Sequence, residues 1–93
     1  PPSAGQRGSL VAYTIVLHDE VIAALETLPK AALLSYAEAI TVLELTPHVG
    51  RPLNPARPDG IKELLFADGR GAILYLVLEH VVEAHMLELQ FLG

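Results

Sequence analysis

The side chains best suited to chemistry in this chain are cationic, and most of them surround one proline-rich stretch. Four of the six lysine and arginine residues fall between positions 48 and 70, where only three carboxylates accompany them. Cationic side chains are the groups that bind phosphate in proteins. The pattern fits a phosphate-binding patch and a locally less acidic loop equally well. The four cations are Arg51, Arg57, Lys62 and Arg70.

Residue type and spacing exclude most other chemistries. The chain has no cysteine, which rules out disulfides, thiolate metal ligands and a cysteine nucleophile. No serine lies in a nucleophile elbow, and no glycine-rich phosphate loop is present. His80 and His85 are five residues apart and would lie on opposite faces of one strand, so they cannot share a metal ion. We therefore predict neither a metal site nor a cofactor.

The composition predicts one small domain with a partner. Hydrophobic residues make up 52% of the 93 residues and charged residues 18%, which is apolar for a chain with so much surface per unit volume. Some apolar surface should therefore be covered by a companion protein or a second copy. The net charge of −5 argues against strong non-specific nucleic-acid binding.

The sequence also gives expectations about location and boundaries. No apolar run is long enough to span a membrane and no signal-like block is present, so we expect a cytoplasmic protein without membrane contact. Residues 1–11 are expected to be a flexible leader or a cloning remnant. Residues 12–93 are expected to form a single domain.

Periodicity and turn residues predict the element order β-α-α-β-β-β. A strand over 12–18 leads into a helix capped by Asp19 and ended by Pro29. A second helix, from about residue 30 to 45, presents a stripe of Leu33, Ala37 and Ile40, which Leu34, Tyr36 and Leu43 widen. A stiff segment with four prolines then leads to strands over 61–66, 72–78 and 81–92. A single helix over 72–91 competes with the last two strands on periodicity alone.

Three short motifs accompany these elements: Gly50-Arg51-Pro52-Leu53, Gly60-Ile61-Lys62-Glu63-Leu64 and the strand end Ile73-Leu74-Tyr75. Together with the element order, they resemble the RelE/ParE toxins of type II toxin–antitoxin modules over residues 13–92. The resemblance implies an α+β fold in which a helical hairpin packs on a curved, mainly antiparallel sheet. It also implies an antitoxin partner, so the expected assembly is a toxin–antitoxin hetero-oligomer or, from the apolar composition, a homodimer.

The resemblance implies two alternative activities. RelE-like members cleave mRNA on the ribosome without a metal ion, which needs cations at the phosphate and groups that transfer protons. In this chain the matching catalytic candidates are Lys62, Arg70 and His85, and the RNA-binding candidates are Arg51 and Arg57. ParE-like members instead inhibit DNA gyrase, and degenerate members would act only by binding protein.

Two departures from the nuclease pattern favour the second alternative. Leu65 and Ala72 stand where nuclease members commonly carry arginine. Three of the candidates also have interpretations without a catalytic role. Lys62 would lie at a sheet edge, Arg70 in a solvated turn and His85 in the core or in an interface. Tyr75, His48 and Glu63 are weaker candidates for proton transfer, and a buried tyrosine on an apolar strand is more often part of the core.

Overall fold

A computed structural model describes residues 11–92. Residues 1–10 of the expected leader, and Gly93, lie outside the described residues. Two helices lie on one side of a five-stranded mixed sheet whose strand order is β1-β5-β4-β3-β2. The elements are β1 (Thr14–Leu17), α1 (Asp19–Leu25), α2 (Lys30–Leu45), β2 (Arg51–Pro52), β3 (Lys62–Phe66), β4 (Gly71–Leu78) and β5 (Glu83–Phe91).

The element order predicted from the sequence is confirmed, and the two-residue strand β2 is added to it. Strands β3, β4 and β5 form an antiparallel meander, and β1 pairs with β5 in parallel. The competing helix over 72–91 is wrong, because a short 3₁₀ turn over Glu79–Val81 reverses the chain between β4 and β5. Val82 closes that turn in the left-handed region, at φ 55° and ψ 51°, where β-branched residues are rarely found.

Helix α1 begins one residue earlier than the sequence suggested. The N-cap is His18, whose side chain makes no capping hydrogen bond, and Asp19 is already helical. Asp19 and Glu20 lie in the first turn, where a carboxylate interacts favourably with the helix dipole. Val21 is the residue that α1 buries completely.

The predicted stripe of α2 is right only along one edge. Tyr36 and Leu43 are buried, together with Ala32, whereas Leu33 and Leu34 are exposed. Because apolar side chains occur all round this helix, their periodicity does not specify which face meets the sheet. Tyr36 packs edge-to-face on Phe66 of β3, and burial raises the pKa of Tyr36 to about 12.

Strand β4 defines the two faces of the sheet. Ile73 and Tyr75 point toward the helices and are fully buried. The alternating residues Leu74, Leu76 and Leu78 lie on the opposite face, which we call the open face. Because directly opposed residues share a face, the register assigns the neighbouring strands as well.

A β-bulge in β5 keeps apolar side chains on the helix side of the sheet along the whole strand. Tyr75 pairs with Met86 while Leu74 pairs with Glu88, so Leu87 is the extra residue. The bulge allows Met86 and Leu89, three positions apart, to be buried on the helix side. It leaves Glu83, His85 and Glu88 on the open face.

Candidate functional site

Lys62 lies on the helix side of the sheet. It pairs with Tyr75, and only 5% of its surface is exposed. Its ammonium group donates to the carbonyl of Pro58 at 2.5 Å, and within residues 11–92 it forms no ion pair. The side chain thus closes the proline-rich loop from inside, and it does not reach the open face.

Arg51 is the candidate cation that does lie on the open face. It pairs with Glu63 across β2 and β3, and its guanidinium donates to the Glu63 carboxylate at 2.6 Å. The Arg51 side chain is 75% exposed, so the ion pair is screened by solvent and adds little to stability. Its positive charge is nevertheless offset by the adjacent anion.

Arg57 and Arg70 lie on other parts of the surface. Arg57 is exposed in the loop after β2, where it lines a pocket of about 320 Å³ with Leu53 and Ile61. Arg70 sits in the β3–β4 turn, with its guanidinium 5.5 Å from the centre of the Phe91 ring. Such a contact is a cation–π interaction, and it holds the Arg70 guanidinium over the aromatic ring of Phe91.

His85 lies on the open face, in a chain of three polar side chains. Its Nε2 is 2.9 Å from the carboxylate of Glu83, and its Nδ1 is 2.9 Å from Nε2 of His18. The parallel pairing of Val16 with His85 brings His18, two residues later, beside the histidine of β5. The carboxylate can only accept, so His85 donates to Glu83 through Nε2. This chain could pass a proton between the two imidazoles.

The predicted catalytic residues are not brought together. His85 is opposite Leu76, six residues along β4 from Arg70, which is about 20 Å in an extended strand. Lys62 projects from the other side of the sheet. Consequently, no two of these three residues share a pocket or a hydrogen bond within the described residues.

A second polar cluster joins three segments at the end of the sheet. Glu79 accepts hydrogen bonds from the hydroxyl of Tyr13 and from the ring of His48. The hydrogen bond from Tyr13 is the larger cause of a lowered pKa at Glu79, and that from His48 adds to it. The same carboxylate raises the pKa of Tyr13. The cluster ties the β4–β5 turn to the start of β1 and to the 3₁₀ turn at His48.

Tyr75 is a structural residue of the core. Its hydroxyl donates to the carbonyl of Pro47 and accepts the N–H of Gly50, and its side chain is fully buried. Burial raises the Tyr75 pKa, and the hydrogen bond from Gly50 opposes that shift. The hydroxyl is committed to these two backbone groups, which makes it unsuited to proton transfer with a ligand.

Sequence reasoning missed His18, Glu83 and Glu79. The sequence contained a signal for Glu83: it is two residues before His85 in the predicted last strand. Residues i and i+2 of a strand lie on the same face, so the carboxylate could have been placed beside the imidazole. No local signal existed for His18, since its contact with His85 depends on the parallel pairing of the first and last strands. Among residues 11–92, no cluster of three or more potential ligands could hold a metal ion. None of the described helices could cross a membrane.

Solved structures share this architecture. A chain of the toxin–antitoxin complex RelBE2 from Mycobacterium tuberculosis matches with a TM-score of 0.73 at 23% identity, covering 88% of this chain and 100% of that one. A chain of the intact Escherichia coli RelBE complex matches with a TM-score of 0.75 at 8% identity, covering 88% and 99%. A chain of the RelE–RelB complex from Pyrococcus horikoshii matches with a TM-score of 0.65 at 21% identity, covering 88% and 97%.

These likenesses define the fold. The chain has the α+β fold of the RelE toxins, with two helices on a mixed sheet, as the motifs around Gly50 and Gly60 predicted. At the level of sequence, no family model and no curated protein matches it.

Proposed function

We propose that this chain is the toxin of a toxin–antitoxin pair and acts in the cytoplasm. The observation that supports the proposal is the fold, which is shared with RelE chains from complexes with an antitoxin. A toxin of this kind is held inactive by its antitoxin and acts when the antitoxin is lost. The partner we propose is therefore a cognate antitoxin encoded beside it.

The exposed apolar side chains of the two helices are the surface we assign to the antitoxin. Five large apolar side chains there are at least 38% exposed, and one of them, Val42, lines a cavity with Leu64 and Leu65 of β3. Exposed apolar surface of this kind is typical of a protein interface. The five residues are Ile22, Leu33, Leu34, Val42 and Leu45.

For the activity itself, the observations favour binding to a protein target over cleavage of RNA. Phosphate cleavage needs a cation and a proton-transfer group within reach of the same phosphate. His85 has carboxylate and imidazole neighbours, Arg51 is neutralised by Glu63, and Lys62 is buried on the helix side. These contacts support the ParE-like or degenerate alternative.

The competing proposal is a ribosome-dependent ribonuclease acting on mRNA. In it Lys62, Arg70 and His85 are catalytic, and Arg51 and Arg57 bind RNA. Of its parts, the proton-transfer group has the best support, because the hydrogen-bonded chain of Glu83, His85 and His18 is open to solvent at His18.

Induction of the chain with and without the neighbouring open reading frame tests the proposal. We expect growth inhibition that co-expression of the neighbour relieves, intact mRNA ends, and no effect of His85→Gln on inhibition. Cleaved messages in the wild type that disappear in His85→Gln would establish the ribonuclease instead. Unimpaired growth in both arms would contradict a toxin of either kind.

A further inference from the structure

His18 and His85 meet where β1 pairs with β5, and the atoms in contact are two ring nitrogens. Nε2 of His18 lies 2.9 Å from Nδ1 of His85, and the ring planes are 72° apart. The two residues are 67 positions apart in the chain, so only the parallel pairing of the strands brings them together. Imidazole nitrogen is a common ligand of zinc, copper and nickel ions in proteins. Two of them at this distance supply half of the ligands of a tetrahedral ion.

Glu83 holds the His85 ring in the state that a metal ligand requires. Its carboxylate accepts the Nε2–H at 2.9 Å, so the other nitrogen, Nδ1, carries a lone pair directed at His18. Histidines that bind metal ions usually donate their second N–H to a carboxylate or a carbonyl in this way, which fixes the tautomer and makes the ligand more basic. The side chains of His85 and Glu83 are only 21% and 35% exposed, so their hydrogen bond is partly shielded from solvent.

The His18 ring can bind the same ion after a small adjustment. A neutral imidazole carries one proton, and its transfer from Nε2 to Nδ1 of His18 leaves both facing nitrogens free, with no change in charge. Two nitrogens on one tetrahedral zinc ion are about 3.3 Å apart, about 0.4 Å more than the 2.9 Å of the present contact. His18 is exposed, so a rotation of its side chain provides this space. The dipole of α1 opposes a cation at its N-cap, and Asp19 and Glu20 in the first turn offset that effect.

We propose that His18 and His85 bind one Zn²⁺ ion through Nε2 and Nδ1, with Glu83 positioning His85 and water completing the coordination. No third His, Cys, Asp or Glu among the described residues joins the pair, so the site is open and of modest affinity. A bound ion links the start of α1 to β5 and occupies the Nδ1 lone pair that proton exchange between the two imidazoles needs. Zinc binding here is independent of the proposed toxin function, and each can fail without the other.

Zinc titration of the full chain, purified without a histidine tag, tests the site. The chemical shifts of the histidine ring nitrogens identify the atoms that bind, and melting temperatures with Zn²⁺ and with a chelator measure the stabilisation. His18→Gln and His85→Gln each remove one ligand, and Glu83→Gln keeps an oxygen acceptor without the charge. The matched control is His80→Gln, at an exposed histidine in the 3₁₀ turn before β5.

Zinc at about ten times its Kd should raise the melting temperature by about 6 °C, because the site exists only in the folded chain. The rise should disappear in His18→Gln and His85→Gln. The affinity should fall about tenfold in Glu83→Gln and stay unchanged in His80→Gln. Melting curves in chelator identify a variant that fails to fold, and the exposed His18 gives a test that does not depend on the less exposed His85.

The ring nitrogens that shift with zinc should be Nε2 of His18 and Nδ1 of His85. A rise in melting temperature that survives in folded His18→Gln would overturn the inference, as would shifts confined to His48 and His80. A folded wild-type chain that binds no zinc would overturn it as well, and would leave the toxin function intact.

Discussion

The Tyr75 hydroxyl and the backbone of Gly50 are in direct contact: the N–H of Gly50 donates to that oxygen at 2.9 Å. A Cβ added at Gly50 would lie 2.3 Å from the same oxygen and 2.9 Å from the carbonyl of Glu63. Gly50 has φ −72° and ψ 166°, which any residue can adopt. Glycine is therefore needed here for space and not for its backbone freedom. The contact fixes the chain as it enters β2.

Gly50→Ala should destabilise the protein by about 2–3 kcal/mol, because the new methyl group overlaps a buried hydroxyl and a backbone carbonyl. Urea unfolding measures this loss. In a Tyr75→Phe background the hydroxyl is gone, so the same substitution should cost less, although the carbonyl of Glu63 and the ring carbon Cε1, each 2.9 Å from the new Cβ, still crowd the site. An equal cost in both backgrounds would show that the Tyr75 hydroxyl is not what excludes a side chain at Gly50.

Tyr75→Phe and Tyr36→Phe should change stability in opposite directions. The first leaves the N–H of Gly50 and the carbonyl of Pro47 without a partner and should cost about 2 kcal/mol. The second removes a buried hydroxyl that has no hydrogen-bond partner in the described residues, so stability should rise by up to about 1 kcal/mol. The two changes delete the same atom, so each controls the other in a denaturant titration.

The element order could be predicted because local signals agree with the fold. Pro29 and Pro47 bound α2, and the Asp68-Gly69 pair lies in the turn between β3 and β4. The actual turn is less ordinary, since Ala67 and Asp68 both have positive φ ahead of Gly69. The two-residue strand β2 is too short for its residues to show any pattern.

The site could be predicted only in part. The alternation of side chains along a strand shows which residues share a face of the sheet, but it does not show which face the helices cover. The sequence placed Lys62 with Leu64 and Phe66 on one side of a strand, and the register confirms this grouping. That side is the one that the helices cover. The bulge at Leu87 likewise shifts the alternation of β5, and only pairing with β4 reveals it.

Val82→Gly should stabilise the protein by about 0.5–1 kcal/mol. A β-branched residue is strained at φ 55°, and the relief of that strain exceeds the entropy that glycine adds to the unfolded chain. The carbonyl of Val82 still accepts the N–H of Thr14, so the start of the β1–β5 pairing is kept. The matched control is Val81→Gly, at a residue without positive φ, which should lower the melting temperature. A lower melting temperature for both variants would disprove the strain at Val82.

Glu79→Gln should make stability less dependent on acid. The hydrogen bonds from Tyr13 and His48 lower the pKa of Glu79 in the folded protein below the ordinary value of a glutamate. The ionised form is thus favoured by folding, so its contribution is fully present above the ordinary carboxyl pKa and is lost as the pH falls through the folded value. Near neutral pH the variant should unfold at a lower urea concentration than the wild type, and the two midpoints should converge once the pH has fallen through the lowered pKa of Glu79. Glu38→Gln on the exposed side of α2 is the control. If the wild type remains more stable than Glu79→Gln at low pH, the charge of the carboxylate is not the cause. Hydrogen bonding by the protonated Glu79 would then hold the β4–β5 turn to β1.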